Sequence, residues 1–367
     1  MTLREALAAR TEALCAVASP IGEERALCVE VERWARERFR HVWRVKNSLV
    51  VWVDDPPPPV AQPGPAAGRP LLALCGHLDT VPIHADDAGR FPRREGGRLV
   101  APGASDMKSG VAVAMELAAR LPRAERFCDL VLVLYSREEG PFAENELGDV
   151  LRDFPVLGQT AFAVCLEPTD NVLQLGCVGS IHATATFRGR SAHSARPWQG
   201  ENAIHKASGL LAHLAERPPR EARSASLCYR EVISVTRIRG GRARNVVPDE
   251  CTLNLNFRFA PDKTLEAAAG ELCALVAGFG GEAELTDLSP ACPAFADHPL
   301  VMRLVERARV AVEPKQAWTD VARLAAAGIP ASNFGPGATA QAHQVGESVE
   351  LASIERCYRM LEAFLRS

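Results

Sequence analysis

Two kinds of strand pattern and their order along the chain predict an α/β protein. Its larger domain is a mostly parallel sheet covered by helices, and a smaller ferredoxin-like α+β domain is inserted into it. The first pattern is the continuous apolar run, in Leu71 to Cys75, Leu130 to Tyr135 and Ala161 to Leu166, alternating with helical stretches such as Ser109 to about Leu121. Strands buried on both faces read this way because neither face needs a polar residue. The second is strict alternation. Ile181, Ala183, Ala185 and Phe187 interleave with His182, Thr184, Thr186 and Arg188, and Cys251, Leu253, Leu255, Phe257 and Phe259 interleave with polar neighbours. Such strands keep one face wet. The alternating strands fall between 176 and 290, with helical stretches at about 201 to 216 and 264 to 278. This order divides the chain into 1–175 plus 291–367, the larger domain, and 176–290, the insert.

The remaining elements follow in order. Residues 1 to about 40 read as two helices separated by Ser19-Pro20-Ile21-Gly22, and 42–53 as one strand, from its β-branched and aromatic content. Asp54 to Pro70 contains four consecutive prolines and almost no large apolar residue, which predicts a semi-rigid surface loop. A helix near 298–311 and a closing helix near 350–366 return the chain to the larger domain.

Composition excludes several classes of function. At 367 residues and 47% hydrophobic content the chain is long and apolar enough for two cores, so disorder is excluded. The net charge is −3, and the only basic stretch is near Arg237, Arg239, Arg242 and Arg244, which argues against a nucleic-acid partner. The first residues form an amphipathic pattern (Leu3, Leu7, Leu14, Val17) with neither a signal-peptide core nor a lipidation motif, so a cytoplasmic protein without a membrane partner is expected. The eleven cysteines are odd in number, lack a Cys-x-x-Cys pair and mostly sit in apolar runs, as buried free thiols do.

The chemistry lies where acids and histidines fall relative to strand ends. His77 and Asp79 follow the run Leu71 to Cys75, Glu138 and Glu139 follow Leu130 to Tyr135, and Glu167 follows Ala161 to Leu166. Asp106 opens the helix that begins near Ser109. Carboxyl ends of strands in an open α/β sheet line the crevice where ligands bind. Alone, each residue has a plain reading: Asp79 as a turn cap, His77 as a core histidine, Asp106 as a helix cap, Glu138-Glu139 as a solvated helix start. Together they are several acids on one edge, which cannot be buried side by side without cations between them. Bound metal accounts for the pattern.

Gly76-His77-Leu78-Asp79-Thr80-Val81-Pro82, Gly103-Ala104-Ser105-Asp106-Met107-Lys108-Ser109-Gly110, Arg137-Glu138-Glu139-Gly140, Glu167-Pro168-Thr169 and a late His343 resemble the metallopeptidase family of aminoacylases, carboxypeptidases, acetylornithine deacetylases and succinyl-diaminopimelate desuccinylases. The resemblance covers nearly the whole chain and implies two zinc ions per subunit, with cobalt or manganese as substitutes. Asp106 would bridge them, His77 and Glu167 completing one site and Glu139 and His343 the other. Asp79 would orient the His77 ring and Glu138 would act as general base. The family pattern further implies a cis Asp106–Met107 peptide bond. It also implies a homodimer formed through the insert, in which His193, from Gly189-Arg190-Ser191-Ala192-His193, binds the reaction's oxyanion in the neighbouring subunit.

The segments Arg190 to Trp198, Glu201 to Lys206 and Gly176 to Ser180 resemble the desuccinylase branch most closely. Asn245, in Asn245-Val246-Val247-Pro248, and Arg258, in Asn256-Phe257-Arg258-Phe259, match positions that bind substrate carboxylate, and a guanidinium suits that task. A Gly-rich segment found before the last histidine in many desuccinylases is here Trp318-Thr319-Asp320-Val321-Ala322-Arg323, leaving Arg323 as a weaker carboxylate partner. The implied reaction is hydrolysis of an N-acyl amino acid, foremost N-succinyl-LL-2,6-diaminopimelate. The alternatives are an N-acetylornithine-type deacetylase, a related aminoacylase or dipeptidase, and an inactive dimeric binding homologue. His41, His84, His182, His213 and His298 are expected to be structural.

Overall fold

A computed structural model describes residues 1–56, 68–87, 89 and 92–367. The centre of the Pro-rich loop, 57–67, and what was expected of it lie outside the described residues. The chain forms two compact units, one of Met1–Gly176, Phe295–Glu313 and Arg323–Ser367, the other of Cys177–Ala294 and Pro314–Ala322.

The first unit is built on an eight-stranded sheet in the order His41–Val45, Ser48–Trp52, Asp129–Tyr135, Leu71–His77, Phe162–Cys165, Ala331–Asn333, Leu173–Leu175, Val312–Pro314. Its centre is parallel. Leu71–His77 pairs in parallel with Asp129–Tyr135 on one side and Phe162–Cys165 on the other, and Ala331–Asn333 continues parallel beyond them. Every residue of Leu71–His77 is buried, as its unbroken apolar run requires. The helix Ser109–Arg120 is buried from Ser109 through Ala118, which accounts for its being apolar nearly all round. The closing helix Leu351–Leu365 instead buries one stripe, including Ile354, Cys357, Tyr358, Leu361 and Phe364. Thr2 caps the first helix, Leu3–Cys15, by accepting the Glu5 amide at 3.2 Å.

Two local details differ from the sequence reading. Residues 42–53 are not one strand but an antiparallel hairpin, His41–Val45 and Ser48–Trp52, turned at Lys46 with φ 50°. Lysine rarely takes this left-handed conformation, and the only turn signal that the sequence carries is the neighbouring Asn47. A small third sheet joins Arg93–Glu95, Arg98–Val100 and Ser348–Glu350, with Ser348 opposite Val100. No local pattern announces a pairing across so much chain.

The second unit holds a five-stranded antiparallel sheet ordered Arg220–Ser224, Leu227–Gly240, Glu250–Phe259, Gly179–Arg188, Glu282–Ser289. Helices Ala203–Glu216 and Leu265–Gly278 contribute Ala207, Leu210, Leu272 and Val276 to a core with Ile181, Phe187, Leu253 and Phe257. The strand Arg220–Ser224 was not foreseen. It forms a hairpin with the next strand through Ala225 at φ 53°, without a turn-forming glycine or asparagine.

All eleven cysteines are free, nine of them buried. Burial pushes the thiols of Cys15, Cys28 and Cys128 up to about 12, which keeps them protonated and unreactive at neutral pH. Among the described residues, no helix is long and apolar enough to cross a membrane.

Candidate metal centre

The parallel register of the first unit fixes where the side chains emerge. Cys75 pairs with Cys165 and His77 with Tyr135, so three strands end together. The residues that follow them, Asp79, Glu138, Glu139 and Glu167, share one edge with His77. Asp106 arrives from the turn Ala104–Lys108 that opens the helix Ser109–Arg120, and the Asp106–Met107 bond is cis. Gly110 lets this helix approach the sheet, since a Cβ there would lie 2.2 Å from the Leu166 carbonyl oxygen, next to Glu167.

The structure brings all five residues read as ligands together, in overlapping groups. His77, Asp106 and Glu167 form one, Asp106, Glu139 and His343 another, and His77, Glu138 and Glu139 a third. Within each group the candidate donor atoms lie within 4.8 Å of one another. His77 Nε2 is 3.1 Å from Asp106 Oδ1. His343 Nε2 is 3.0 Å from Glu139 Oε1 and 3.7 Å from Asp106 Oδ2. Asp106 is therefore common to both imidazoles. A cavity of about 130 Å³ opens beside Asp106, Glu139 and His343.

Asp79 is fully buried and touches both sides of the cluster. Its carbonyl oxygen accepts from His77 Nδ1 at 3.0 Å, and its Oδ2 accepts the Glu139 amide at 2.9 Å. With Nδ1 engaged by this carbonyl, Nε2 is the ring nitrogen turned toward Asp106. The ring is thus held first by the main chain of Asp79, with the carboxylate at 3.6 Å from Nδ1.

The electrostatics call for cations. Burial alone would push the His77 pKa down, yet the carboxylates of Asp106, Asp79 and Glu138 raise it well above the ordinary histidine value. His343 is raised to about 9, first by its hydrogen bond to Glu139. Two imidazoles driven toward the charged form report a strongly negative cluster that divalent cations would neutralise. Imidazole nitrogens with carboxylate oxygens are the donor set zinc takes, so the residues fit that metal.

The other expected site residues lie elsewhere. In the second unit, His193 is exposed on a loop, where its Nδ1 accepts the Ala195 amide at 3.1 Å and it forms a bridge with Val246. Asn245 is also exposed, its carbonyl accepting the Ser194 amide at 2.9 Å. Arg258 is half-buried on the polar face of its strand, donating to Asn256 at 2.9 Å. Burial lowers its pKa, and among the described residues no carboxylate forms an ion pair with it. Asn256 in turn donates to His182 at 2.6 Å. In the first unit, Arg323 stacks on the Phe142 ring, 3.8 Å from its centroid, and donates to the Phe142 carbonyl at 2.6 Å. His298 caps the helix Pro299–Ala308 and stacks on Phe162, the structural duty expected of it.

One buried acid at the centre escaped the sequence reading. Glu347, 4% exposed, sends its carboxylate to the amides of Gly103, Ser105 and Asp106 at 2.8, 2.6 and 2.8 Å. Burial raises its pKa to about 7 against the pull of these amides. Its only sequence signal is a glutamate four residues after His343 in an otherwise unpatterned loop.

The sequence profile of the peptidase family M20/M25/M40 matches residues 73–367. The succinyl-diaminopimelate desuccinylase of Corynebacterium glutamicum is 33% identical over 364 residues, 97% of this chain and 95% of that protein. A Mycobacterium tuberculosis protein provisionally named succinyl-diaminopimelate desuccinylase DapE is 41% identical over 295 residues, 80% of this chain and 82% of its own. The acetylornithine deacetylase of Myxococcus xanthus is 31% identical over 312 residues, 81% of this chain and 80% of that one. Among solved structures, the aminopeptidase PepT of Bacillus cereus matches with a TM-score of 0.77 at 18% identity, covering 99% of this chain and 98% of its own. A dinuclear metal-binding M20 peptidase of Bacillus subtilis matches with 0.67 at 16%, covering 98% and 97%. At these identities the likeness is one of fold.

Proposed function

The chain belongs to the peptidase family M20/M25/M40, and from that membership we propose that it is a two-zinc amide hydrolase releasing succinate from N-succinyl-LL-2,6-diaminopimelate. The observation that carries the two-metal reading is Asp106, whose two carboxylate oxygens face His77 at 3.1 Å and His343 at 3.7 Å. His77 and Glu167 would hold one ion and Glu139 and His343 the other, with Asp106 shared, and cobalt or manganese suits the same donors. Bound there, the ions would polarise the amide carbonyl and acidify the attacking water. Glu138 takes the proton of that water and delivers it to the leaving amine, while Asp79 keeps His77 in the tautomer that presents Nε2.

The succinyl group favours Arg258, a half-buried guanidinium that no carboxylate ion-pairs among the described residues, assisted by Asn245 and more weakly by Arg323. Desuccinylase-named relatives at 33% and 41% identity support this choice of substrate. The Myxococcus relative favours a second reading, deacetylation of N-acetylornithine on the same centre. An inactive binding homologue would lack a ligand or the base, and this chain retains Glu138 and all five ligand positions.

The reading includes a homodimer formed through the second unit, with His193 serving the partner's site. Residues Val232 to Gly240 pair on one side with Glu250–Phe259, and among the described residues no strand pairs with their other edge. Ile238, 54% exposed, lies on that stretch, an edge a two-fold partner can extend. Eleven free thiols suit the reducing cytoplasm. The deciding experiment assays N-succinyl-diaminopimelate against N-acetylornithine alongside metal analysis. Preference for the acetyl substrate turns the reading to the deacetylase, and full activity without metal removes it.

A further inference from the structure

Three backbone amides, those of Gly103, Ser105 and Asp106, point at one spot beside the metal cluster. Such a convergence of N–H groups is an anion-binding concavity. Here it is filled by the protein's own Glu347, Oε2 accepting from Gly103 at 2.8 Å and Oε1 from Ser105 and Asp106 at 2.6 and 2.8 Å. Glu347 is 4% exposed, so its carboxylate holds these amides in place of bulk water. The main chain of Glu347 is tied to the same segment, since its carbonyl accepts the Ala101 amide at 2.9 Å and Ser348 pairs with Val100. On its other side the chain runs back four residues to His343, with the Gly346 amide held by Asp87 at 3.1 Å.

The carboxylate thus joins two segments that reach the cluster from opposite ends of the chain, the loop bearing Asp106 and the loop bearing His343. We propose that Glu347 is a positioning residue of the metal centre: by gathering the amides of 103–106 it fixes the shared carboxylate of Asp106 in register with His343. It acts on the ligands, not on the substrate. This rests on the metal-centre reading above and adds a residue to it. Removing the carboxylate takes the shared acceptor from three buried donors, and whether water enters or the loop shifts to recover them, Asp106 is no longer fixed relative to its two imidazoles.

The test measures metal affinity of the full chain by zinc titration of metal-stripped protein, together with amide exchange over 101–108 and melting of the stripped and zinc-loaded forms. For Glu347→Ala the zinc dissociation constant of the weaker site should rise about ten- to a hundredfold, the usual effect of losing a group that orients ligands. Exchange over 101–108 should quicken and the stabilisation by zinc should shrink. A group that only stiffened the fold would lower both melting temperatures equally. Glu347→Gln, which keeps the shape and one acceptor but turns an amide group toward the Gly103 N–H, should fold and weaken zinc by about tenfold. Should Glu347→Ala not fold, Glu347→Gln carries the test. Wild-type zinc affinity in the folded variant, with exchange unchanged, overturns the proposal. If the wild-type chain itself binds no metal, the metal-centre reading fails first, and the two failures are told apart.

Discussion

His343 and Glu139 meet at 3.0 Å, Nε2 to Oε1, across 204 residues of chain. His343 reaches that point from a left-handed backbone conformation, φ 62°, on the loop that Glu347 holds. Glu139 is placed by its own amide, which donates to buried Asp79. Its chain neighbour Glu138 shares a group with His77 and Glu139, and in the proposed reaction Glu138 carries the proton while Glu139 holds metal.

That division of labour gives the first expectation. Glu138→Ala should retain metal and lose most turnover, a fall in kcat of about 10²- to 10⁴-fold, because the proton carrier is gone. Glu139→Ala should lose metal as well. Metal content by elemental analysis of the two purified variants decides it, and equal content refutes the assignment of base and ligand.

Arg258 tests substrate choice. Its guanidinium is partly withdrawn from water and bonded to Asn256, with Asp287 acting on it only as a nearby charge, so a substrate carboxylate would supply a direct ion pair. Arg258→Ala should raise KM for a succinylated substrate about ten- to a hundredfold, the loss of a charge-assisted hydrogen bond worth about 1.5–3 kcal/mol. An acetylated substrate should suffer less. Equal losses on both would assign Arg258 to a carboxylate common to the two.

The proposed sharing of the site between two subunits predicts complementation. Glu138→Ala and His193→Ala chains, each inactive as a homodimer, are co-expressed and mixed dimers isolated. One site of a mixed dimer inherits both defects and the other neither, so the randomly paired preparation should recover about a quarter of wild-type activity and the isolated mixed dimers about half. Mixed dimers that stay inactive would confine His193 to its own subunit or remove it from the reaction.

Stability away from the site is tested at Arg126, which is 1% exposed. It grips Asp54 through two nitrogens, both at 2.9 Å, and also donates to the carbonyls of Leu121 and Cys128. Arg126→Ala would strand a buried carboxylate and should lower unfolding free energy by about 3–5 kcal/mol. Denaturant titration should show the midpoint falling with the slope little changed. A loss under about 1 kcal/mol would mean water reaches Asp54.

The sequence by itself determined the layered plan and the contents of the acidic edge. An unbroken apolar strand such as Leu71–His77 can only be buried on both faces, and a parallel sheet must gather its carboxyl ends, so His77, Glu138, Glu139 and Glu167 were bound to meet once those strands were recognised. Period-2 alternation likewise separated the second unit's wet-faced strands from the first unit's buried ones. Tertiary structure alone decided the rest. The turns at Lys46 and Ala225 depend on backbone conformations their residue types seldom adopt, which packing imposes and composition does not reveal. The role of Glu347 depends on Ser348–Glu350 pairing with Arg98–Val100, a contact whose free energy comes from burial and hydrogen bonds across some 250 residues. Local patterns report only what a segment's own neighbours impose. A glutamate whose partners lie that far along the chain looks like any loop acid until the fold brings the three amides to it.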